Sequence, residues 1–235
     1  MCCGNWPHPA ALPRGWTGPL PRLAVFDLDG TLTRRDTFLP FIGGLLARNP
    51  LRWVRVPLLL LPSLAYALRI IGRGELKGAV LRVLFAGLPR PIIHAWAQEF
   101  ARGAIARRMF AEGLAAFRSH LAAGDHAVLM SASPDLYVPL IAAALGSKEC
   151  ICTPVRWNGE RLDGRLAGPN CRGEEKARIL ERLRQQYPGW SVIGYGNSGA
   201  DLAHLVRCDE AVYVNASRRL RSRLERLGLR LVEWQ

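Results

Sequence analysis

Short apolar runs alternate with longer helical patterns through most of the chain. Arg22 to Phe26 is brief and mostly apolar and stops abruptly at Asp27-Leu28-Asp29-Gly30-Thr31, which predicts a buried strand followed by a polar, glycine-containing loop. The same design recurs at His126 to Met130, which ends in Ser131-Ala132-Ser133-Pro134, and at Trp190 to Tyr195, which ends in Gly196-Asn197-Ser198. Helical patterns cover Leu136 to Leu145, Glu174 to Gln186, Asp201 to Val206 and a basic segment, Ser217 to Leu227. Glu210 to Val214 reads as a further strand, and Cys150 to Arg165 as two strands of a β-hairpin about an Asn158-Gly159 turn. Buried strands alternating with helices predict an α/β fold: a Rossmann-like parallel sheet with helices on both faces. Ligands of such sheets bind beyond the carboxyl ends of the strands. Asp27, Ser131 and Asn197 are therefore expected to converge on one site.

From Thr37 to about Leu121 the pattern is helical, broken by prolines and glycines, and long enough to form an inserted cap. The expected organisation is a catalytic core from residues 22–35 and 122–235, a helical cap at 36–121, and a disordered leader at 1–21. Two stretches of the cap carry no charge, Thr37 to Ala47 and Val56 to Leu68. The second is 13 residues long, short of the roughly 20 that a spanning helix needs. Arg48, Arg52 and Arg55 precede it and Arg69 and Arg73 follow, with Trp53 nearby. Three readings fit: a segment lying in a membrane interface, a re-entrant helical hairpin built with the earlier run, or a buried cap helix.

The 235 residues include 32 basic and 19 acidic side chains, a formal net charge of +13. Such an excess favours anionic partners: nucleic acid, anionic lipid or phosphorylated small molecules. The lysines are Lys77, Lys148 and Lys176; the other basic residues are arginines. The arginines are spread along the chain without a nucleic-acid motif, so nucleic acid is not the expected partner, although Arg218-Arg219-x-Arg221-x-Arg223 keeps a basic nucleic-acid-binding protein as an alternative. Leu220, Leu224 and Leu227 in that segment have the phase of a helix packed on the sheet with a solvated basic face. Six cysteines match no disulfide framework or zinc site.

Asp27 and Asp29 are the sharpest chemical signal. Two carboxylates two residues apart in extended backbone point the same way. So close together, they need a cation beside them, or one must hold a proton. Mg²⁺ suits such oxygen ligands together with substrate phosphate. One carboxylate can attack phosphorus, and the other can protonate the leaving oxygen. Gly30 permits close backbone approach to a phosphate, and the Thr31 hydroxyl can donate to it.

The string Phe26-Asp27-Leu28-Asp29-Gly30-Thr31-Leu32 resembles the first motif of the haloacid dehalogenase superfamily of phosphohydrolases, and three later segments match in order. Leu129 to Pro134 is similar to the second motif, which implies that Ser131 and the Ala132 amide hold the phosphate. Cys171 to Lys176 is similar to the third, which implies that Lys176 offsets charge on the transferring phosphoryl group. Gly194 to Asp201 is similar to the fourth, with Asn197 where many relatives carry Asp. Asn still offers a carbonyl oxygen to Mg²⁺ but removes one negative charge, which leaves open how Asn197 and Asp201 share the ion. An alternative for Asp201 is a helix N-cap. The resemblance implies Asp27 as nucleophile and Mg²⁺ ligand, and Asp29 as general acid/base and a ligand through its backbone carbonyl. The implied activity is that of a phosphoric monoester hydrolase working through an aspartyl-phosphate.

A cap between the first two motifs resembles the phosphoserine-phosphatase-like branch, subfamily IB. Within it, Asp36-Thr37-Phe38, Asn49-Pro50-Leu51-Arg52, Pro57 to Pro62 and Ile70-Ile71-Gly72-Arg73 resemble phosphatidylglycerophosphatase C. That implies an anionic phospholipid substrate such as phosphatidylglycerophosphate, and a cytoplasmic enzyme peripheral on the inner face of the cytoplasmic membrane. A soluble phosphoserine-like phosphatase is the alternative.

Overall fold

The computed structural model describes residues 22–235; the expected leader at 1–21 lies outside them. The chain opens with strand β1 (Arg22–Phe26), then α1 (Phe38–Ala47), a 3-10 helix (Pro50–Leu59), α2 (Leu60–Ala67), α3 (Arg73–Phe85), α4 (Arg90–Arg107) and α5 (Ala111–Ala122). Next come β2 (His126–Pro134), α6 (Val138–Leu145), β3 (Glu149–Thr153), β4 (Val155–Asn158) and β5 (Arg161–Leu166). The chain then forms α7 (Glu174–Gln186), β6 (Ser191–Gly196), α8 (Leu202–Leu205), β7 (Glu210–Val214), α9 (Arg218–Arg226) and β8 (Arg230–Val232).

Six strands form a parallel sheet in the order β3-β2-β1-β6-β7-β8, the fold class expected from the alternation of strands and helices. Successive side chains of β1 serve opposite faces. Leu23 and Val25 pack with Ile179, Leu180 and Leu183 of α7. Ala24 and Phe26 point the other way, into a cluster with Phe117 of α5 and Tyr195 of β6. That cluster continues into Phe41 and Leu45 of α1, Leu81 and Phe85 of α3, and Leu162 of β5. Phe26 stacks on Tyr195 with centroids 4.1 Å apart.

The stretch expected to be one hairpin divides. Glu149–Thr153 joins the main sheet beside β2, and only β4 and β5 form the antiparallel hairpin. Cys150 and Cys152 are buried, which suits a sheet edge covered by helices rather than a free-standing hairpin. The hairpin lies on α3. Gly164, with φ +88°, sits so close that a Cβ there would stand 2.5 Å from Arg82 Cα.

Proline punctuation explains the unusual stretch before α2. Pro50 opens a ten-residue 3-10 helix and Pro57 interrupts it, so an α-helical hydrogen-bond ladder cannot run through. Neither that helix nor α2 contains a buried residue, which overturns the buried-cap-helix reading. Leu51 is 90% exposed and Leu61 77%, and Val54, Leu58, Leu60, Leu64 and Leu68 are also exposed. Among the described residues no helix is long and apolar enough to cross a membrane. In α9, Leu224 is buried and Leu220 packs beside it, whereas Leu227 is exposed.

Candidate active site

Strand register brings the motifs together. Phe26 is level with Leu129 on one side and Tyr195 on the other. Asp27, one residue on, donates its backbone N–H to the Tyr195 carbonyl; Ser131 and Asn197 lie two residues beyond their own partners. The expectation that Asp27 and Asp29 share a face of extended backbone needs correction. The chain turns after Asp27, with the Thr31 and Thr33 amides both donating to the Leu28 carbonyl, so the two carboxylates approach the site around a loop. Gly30 is required there: its φ is +83°, and a Cβ would lie 2.1 Å from Asn197 Nδ2.

Asp27 and Asp29 sit in different surroundings. Asp27 Oδ1 accepts from Lys176 Nζ at 2.5 Å, and Oδ2 accepts from the Thr31 hydroxyl at 2.9 Å. Lys176, in the first turn of α7, also donates to Asp201 Oδ1 at 2.7 Å. Asp29 has only neutral donors: the Thr37 amide (2.7 Å) and hydroxyl (2.5 Å) on Oδ1, and the hydroxyls of Ser133 (2.6 Å) and Ser131 (3.4 Å) on Oδ2. Thr37 in turn meets the buried Tyr137 hydroxyl at 2.9 Å.

One ammonium between two buried carboxylates cannot neutralise both. Burial, reinforced by the charges of Asp201 and Asp29 and opposed by Lys176, pushes the Asp27 carboxyl up to about 7. Burial acts on Asp201 in the same sense, but the Lys176 ammonium and hydrogen bonds from Lys176 and Ser198 outweigh it and hold Asp201 below the usual carboxylate range. Burial would depress Lys176, yet the Asp201 and Asp27 charges lift it well above an ordinary lysine. Asp29 is raised by burial against its donors Ser133 and Thr37.

Asp201 is not the side-chain N-cap considered as an alternative. It makes no cap bond to α8; its Oδ2 accepts from the Ser198 hydroxyl (2.7 Å) and the Ser198 (3.0 Å) and Asn197 (3.3 Å) amides. It thereby shapes the loop that presents Asn197, whose Oδ1 is 3.4 Å from the Thr31 hydroxyl.

These groups form the floor of a cavity of about 770 Å³. Asp27, Asp29, Gly30, Ala132, Lys176, Asn197 and Asp201 border it. Ser131 and Thr31 are fully buried beneath, and Ser133 faces the cavity instead. Ala132 borders it with its carbonyl already taken by Lys77 and by Thr153 at 2.7 Å. Sequence reasoning missed Thr37, Ser133, Tyr137, Asn170 and Lys77. Lys77 alone carried a usable signal, as one of three lysines in an arginine-rich chain.

Among the described residues no three His, Cys, Asp or Glu side chains cluster as metal ligands. The donors here are two carboxylates, the Asn197 amide oxygen and backbone carbonyls, all hard oxygens suited to Mg²⁺. Burial, and after it the charges of Asp201 and Asp29, disfavour the ionised form of Asp27, and a cation bound there would favour it.

Fold and site together define a Rossmann-like hydrolase with paired aspartates at the end of its first strand. The sequence profile of the haloacid dehalogenase-like hydrolases matches residues 24–205, and the chain belongs to that family. It is 35% identical over 203 residues to protein CicA of Caulobacter vibrioides, covering 85% of this chain and 88% of that one. A Mycobacterium tuberculosis protein named as a probable phosphatase is 27% identical over 214 residues, covering 88% and 74%. Among solved structures, a Bordetella pertussis protein of unknown function superposes with a TM-score of 0.75 at 25% identity, covering 91% and 99%. A probable phosphoserine phosphatase of Vibrio cholerae shares the fold, with a TM-score of 0.68 at 15% identity, covering 91% and 62%.

Proposed function

We propose that this hydrolase cleaves a phosphate monoester in two steps, with Asp27 as nucleophile and Asp29 as general acid and base. The observation that carries the assignment is the asymmetry of their partners: Asp27 accepts from the Lys176 ammonium, whereas Asp29 accepts from neutral donors, Thr37 and Ser133. Carboxyls with such different partners take different roles. The reaction requires Asp29 to start protonated, a form that burial favours. As an Asp27 oxygen bonds to phosphorus, the ester oxygen leaves with the Asp29 proton. Asp29 then takes a proton from water, whose oxygen attacks the aspartyl-phosphate, releasing inorganic phosphate and restoring Asp27. Lys176 balances charge at the nucleophile. Mg²⁺, held by Asp27, the Asp29 carbonyl, Asn197 and Asp201, would supply further neutralising charge on the phosphoryl oxygens. The core is assigned to residues 22–35 and 122–235, and the cap to 36–121.

The preferred substrate is a phospholipid phosphate such as phosphatidylglycerophosphate, presented by an anionic membrane surface. The exposed apolar side chains of the 3-10 helix and α2 support this reading, because soluble monomers rarely leave so many together. Leu39, Tyr66 and Arg73 border the catalytic cavity, so its mouth adjoins this face. Arg52, Arg55, Arg69 and Arg73 flank the apolar residues, and each basic side chain near an anionic surface contributes about 1 kcal/mol.

Phosphate release with Mg²⁺ from phosphatidylglycerophosphate in vesicles, from phosphoserine and from p-nitrophenyl phosphate tests both levels. Asp27→Asn and Asp29→Asn are each expected to abolish release while circular dichroism stays native; full activity in Asp27→Asn would remove the nucleophile. The double variant Leu61→Glu/Leu64→Glu is expected to lose co-sedimentation with anionic vesicles. Preference for phosphoserine, with no vesicle binding by the parent protein, would favour the soluble alternative.

A further inference from the structure

The catalytic cavity is larger than a phosphate needs, and its outer wall is cationic. Arg34, Arg35, Arg73, Lys77 and Arg172 border it there, with Asp36 as the acidic residue among them. Lys77 is the most confined of these cations. It reaches from α3 across the cleft, where Nζ donates to the Ala132 carbonyl and, at 3.1 Å, to Asn170 Oδ1. It stands 5.6 Å above the Phe38 ring. Its hydrogen-bond partners are neutral, although Asp29 and Asp36 lie within electrostatic reach. A largely buried ammonium without a paired carboxylate is an expensive arrangement. Burial depresses Lys77 to about 8, and the nearby Arg172 charge acts in the same sense. Arg172 makes no ion pair with a carboxylate among the described residues, and Arg73 donates to a neutral group, the Tyr66 hydroxyl, at 3.0 Å.

Among the described residues none of these cations hydrogen-bonds to Asp27 or Asp201, the carboxylates that Lys176 joins. Lys176 donates to Asp27 and Asp201, whereas Lys77, Arg73 and Arg172 border the same cleft and form no ion pair with a carboxylate among the described residues. Asn170 ties the two regions together. Its Oδ1 also accepts from Thr153 at 3.1 Å, and the Thr153 hydroxyl accepts from the Cys171 amide at 3.1 Å, on the segment leading to Lys176.

We propose that Arg73, Lys77 and Arg172 form a second anion subsite, which binds a phosphodiester carried by the leaving alcohol of the substrate. The inference rests on the phosphatase reading and narrows its substrate class. The favoured ester bears two phosphates, one a terminal monoester over Asp27 and the other a diester against the cap. A monoester on the headgroup of a glycerophospholipid has this form, the diester lying between the headgroup and the glycerol that carries the acyl chains. A uniformly attractive cavity would bind any phosphomonoester; a cationic wall away from the reacting centre discriminates by the second charge.

The test uses soluble esters, so that the apolar face plays no part. kcat/KM is measured for glycerophosphoglycerol phosphate, which has a monoester and a diester but no acyl chains, and for p-nitrophenyl phosphate, which has the monoester alone. The parent protein should prefer the first. In Lys77→Met and in Arg172→Met the ratio of the two kcat/KM values should fall at least about tenfold, through KM, and Lys77→Arg should restore most of it. An unchanged ratio, or equal losses on both esters, overturns the subsite. Calorimetry with glycerophosphoglycerol, which has no monoester to hydrolyse, reads the subsite without catalysis: binding should weaken about tenfold in Lys77→Met and Arg172→Met, and equal binding by parent and variants overturns it. Diester binding by a parent protein that hydrolyses neither ester would sustain the subsite and refute the phosphatase reading.

Discussion

Replacing Lys176 with Met tests how charge is balanced at the heart of the site. The ammonium is 2% exposed, and the Asp27 and Asp201 side chains that it joins are 8% and 4% exposed. Each charge-assisted hydrogen bond is worth about 1.5–3 kcal/mol, but the lysine's own desolvation cost is recovered on its removal. Removing one partner of a buried ion pair costs about 3–5 kcal/mol; two stranded carboxylates place this variant near 4 kcal/mol at about pH 8 without Mg²⁺. The sign of the pH dependence follows from linkage. Without the ammonium, the folded-state pKa values of both carboxyls rise above their unfolded values. The folded state then binds more protons, and stability falls as pH climbs from the unfolded pKa through the folded one. In the parent, Asp201 is depressed and contributes stability above its unfolded pKa that is lost as pH falls. The deficit of the variant should therefore be small near pH 4 and full near pH 8. Urea unfolding at both pH values, with and without Mg²⁺, measures it, and Mg²⁺ should recover part of the loss. A deficit below about 1 kcal/mol near pH 8, or one equal at both pH values, would refute the shared-ammonium account.

Gly30→Ala forces a Cβ against the Asn197 amide at a φ of +83°; it should lose about 1 kcal/mol or more of stability and most of its phosphatase activity, measured by urea unfolding and phosphate release. In the metal-free protein Asp27 carries a proton below about pH 7, so Mg²⁺ should release it on binding. Titration calorimetry near pH 6 in two buffers of different ionisation enthalpy should give different heats, with weaker affinity than near pH 8; identical heats would contradict the raised carboxyl.

The sequence made the catalytic floor legible because its chemistry is local. Asp27, Asp29 and Gly30 lie within four residues of one another after an apolar strand, and the short apolar runs of β1, β2 and β6, buried almost throughout, mark the inner strands of a parallel sheet. Asp29's partners were not legible in the same way. Thr37 and Ser133 are ordinary hydroxyls in sequence and become donors only when the Thr37 turn and the end of β2 close on the loop. Lys77 lies between Gly74 and Gly78, and the pattern there does not phase a helix face that would aim it at the cleft. Cys150 to Asn158 reads as one extended run, and nothing in its pattern marks where pairing passes from the main sheet to the hairpin. The three residues of β8 fall below the length at which alternation is recognisable.

The close approach of Gly164 to Arg82 has a mechanical consequence. Where two backbones touch, there is no intervening side-chain layer that can re-pack to let one slide over the other. Helix α3 and the β4–β5 hairpin are therefore expected to move as a single body in any widening of the cleft. The bending is left to the short segments on either side of the hairpin, Pro154 before it and Ala167 to Asn170 after it. The second of these carries the Asn170 amide, whose oxygen accepts from Lys77.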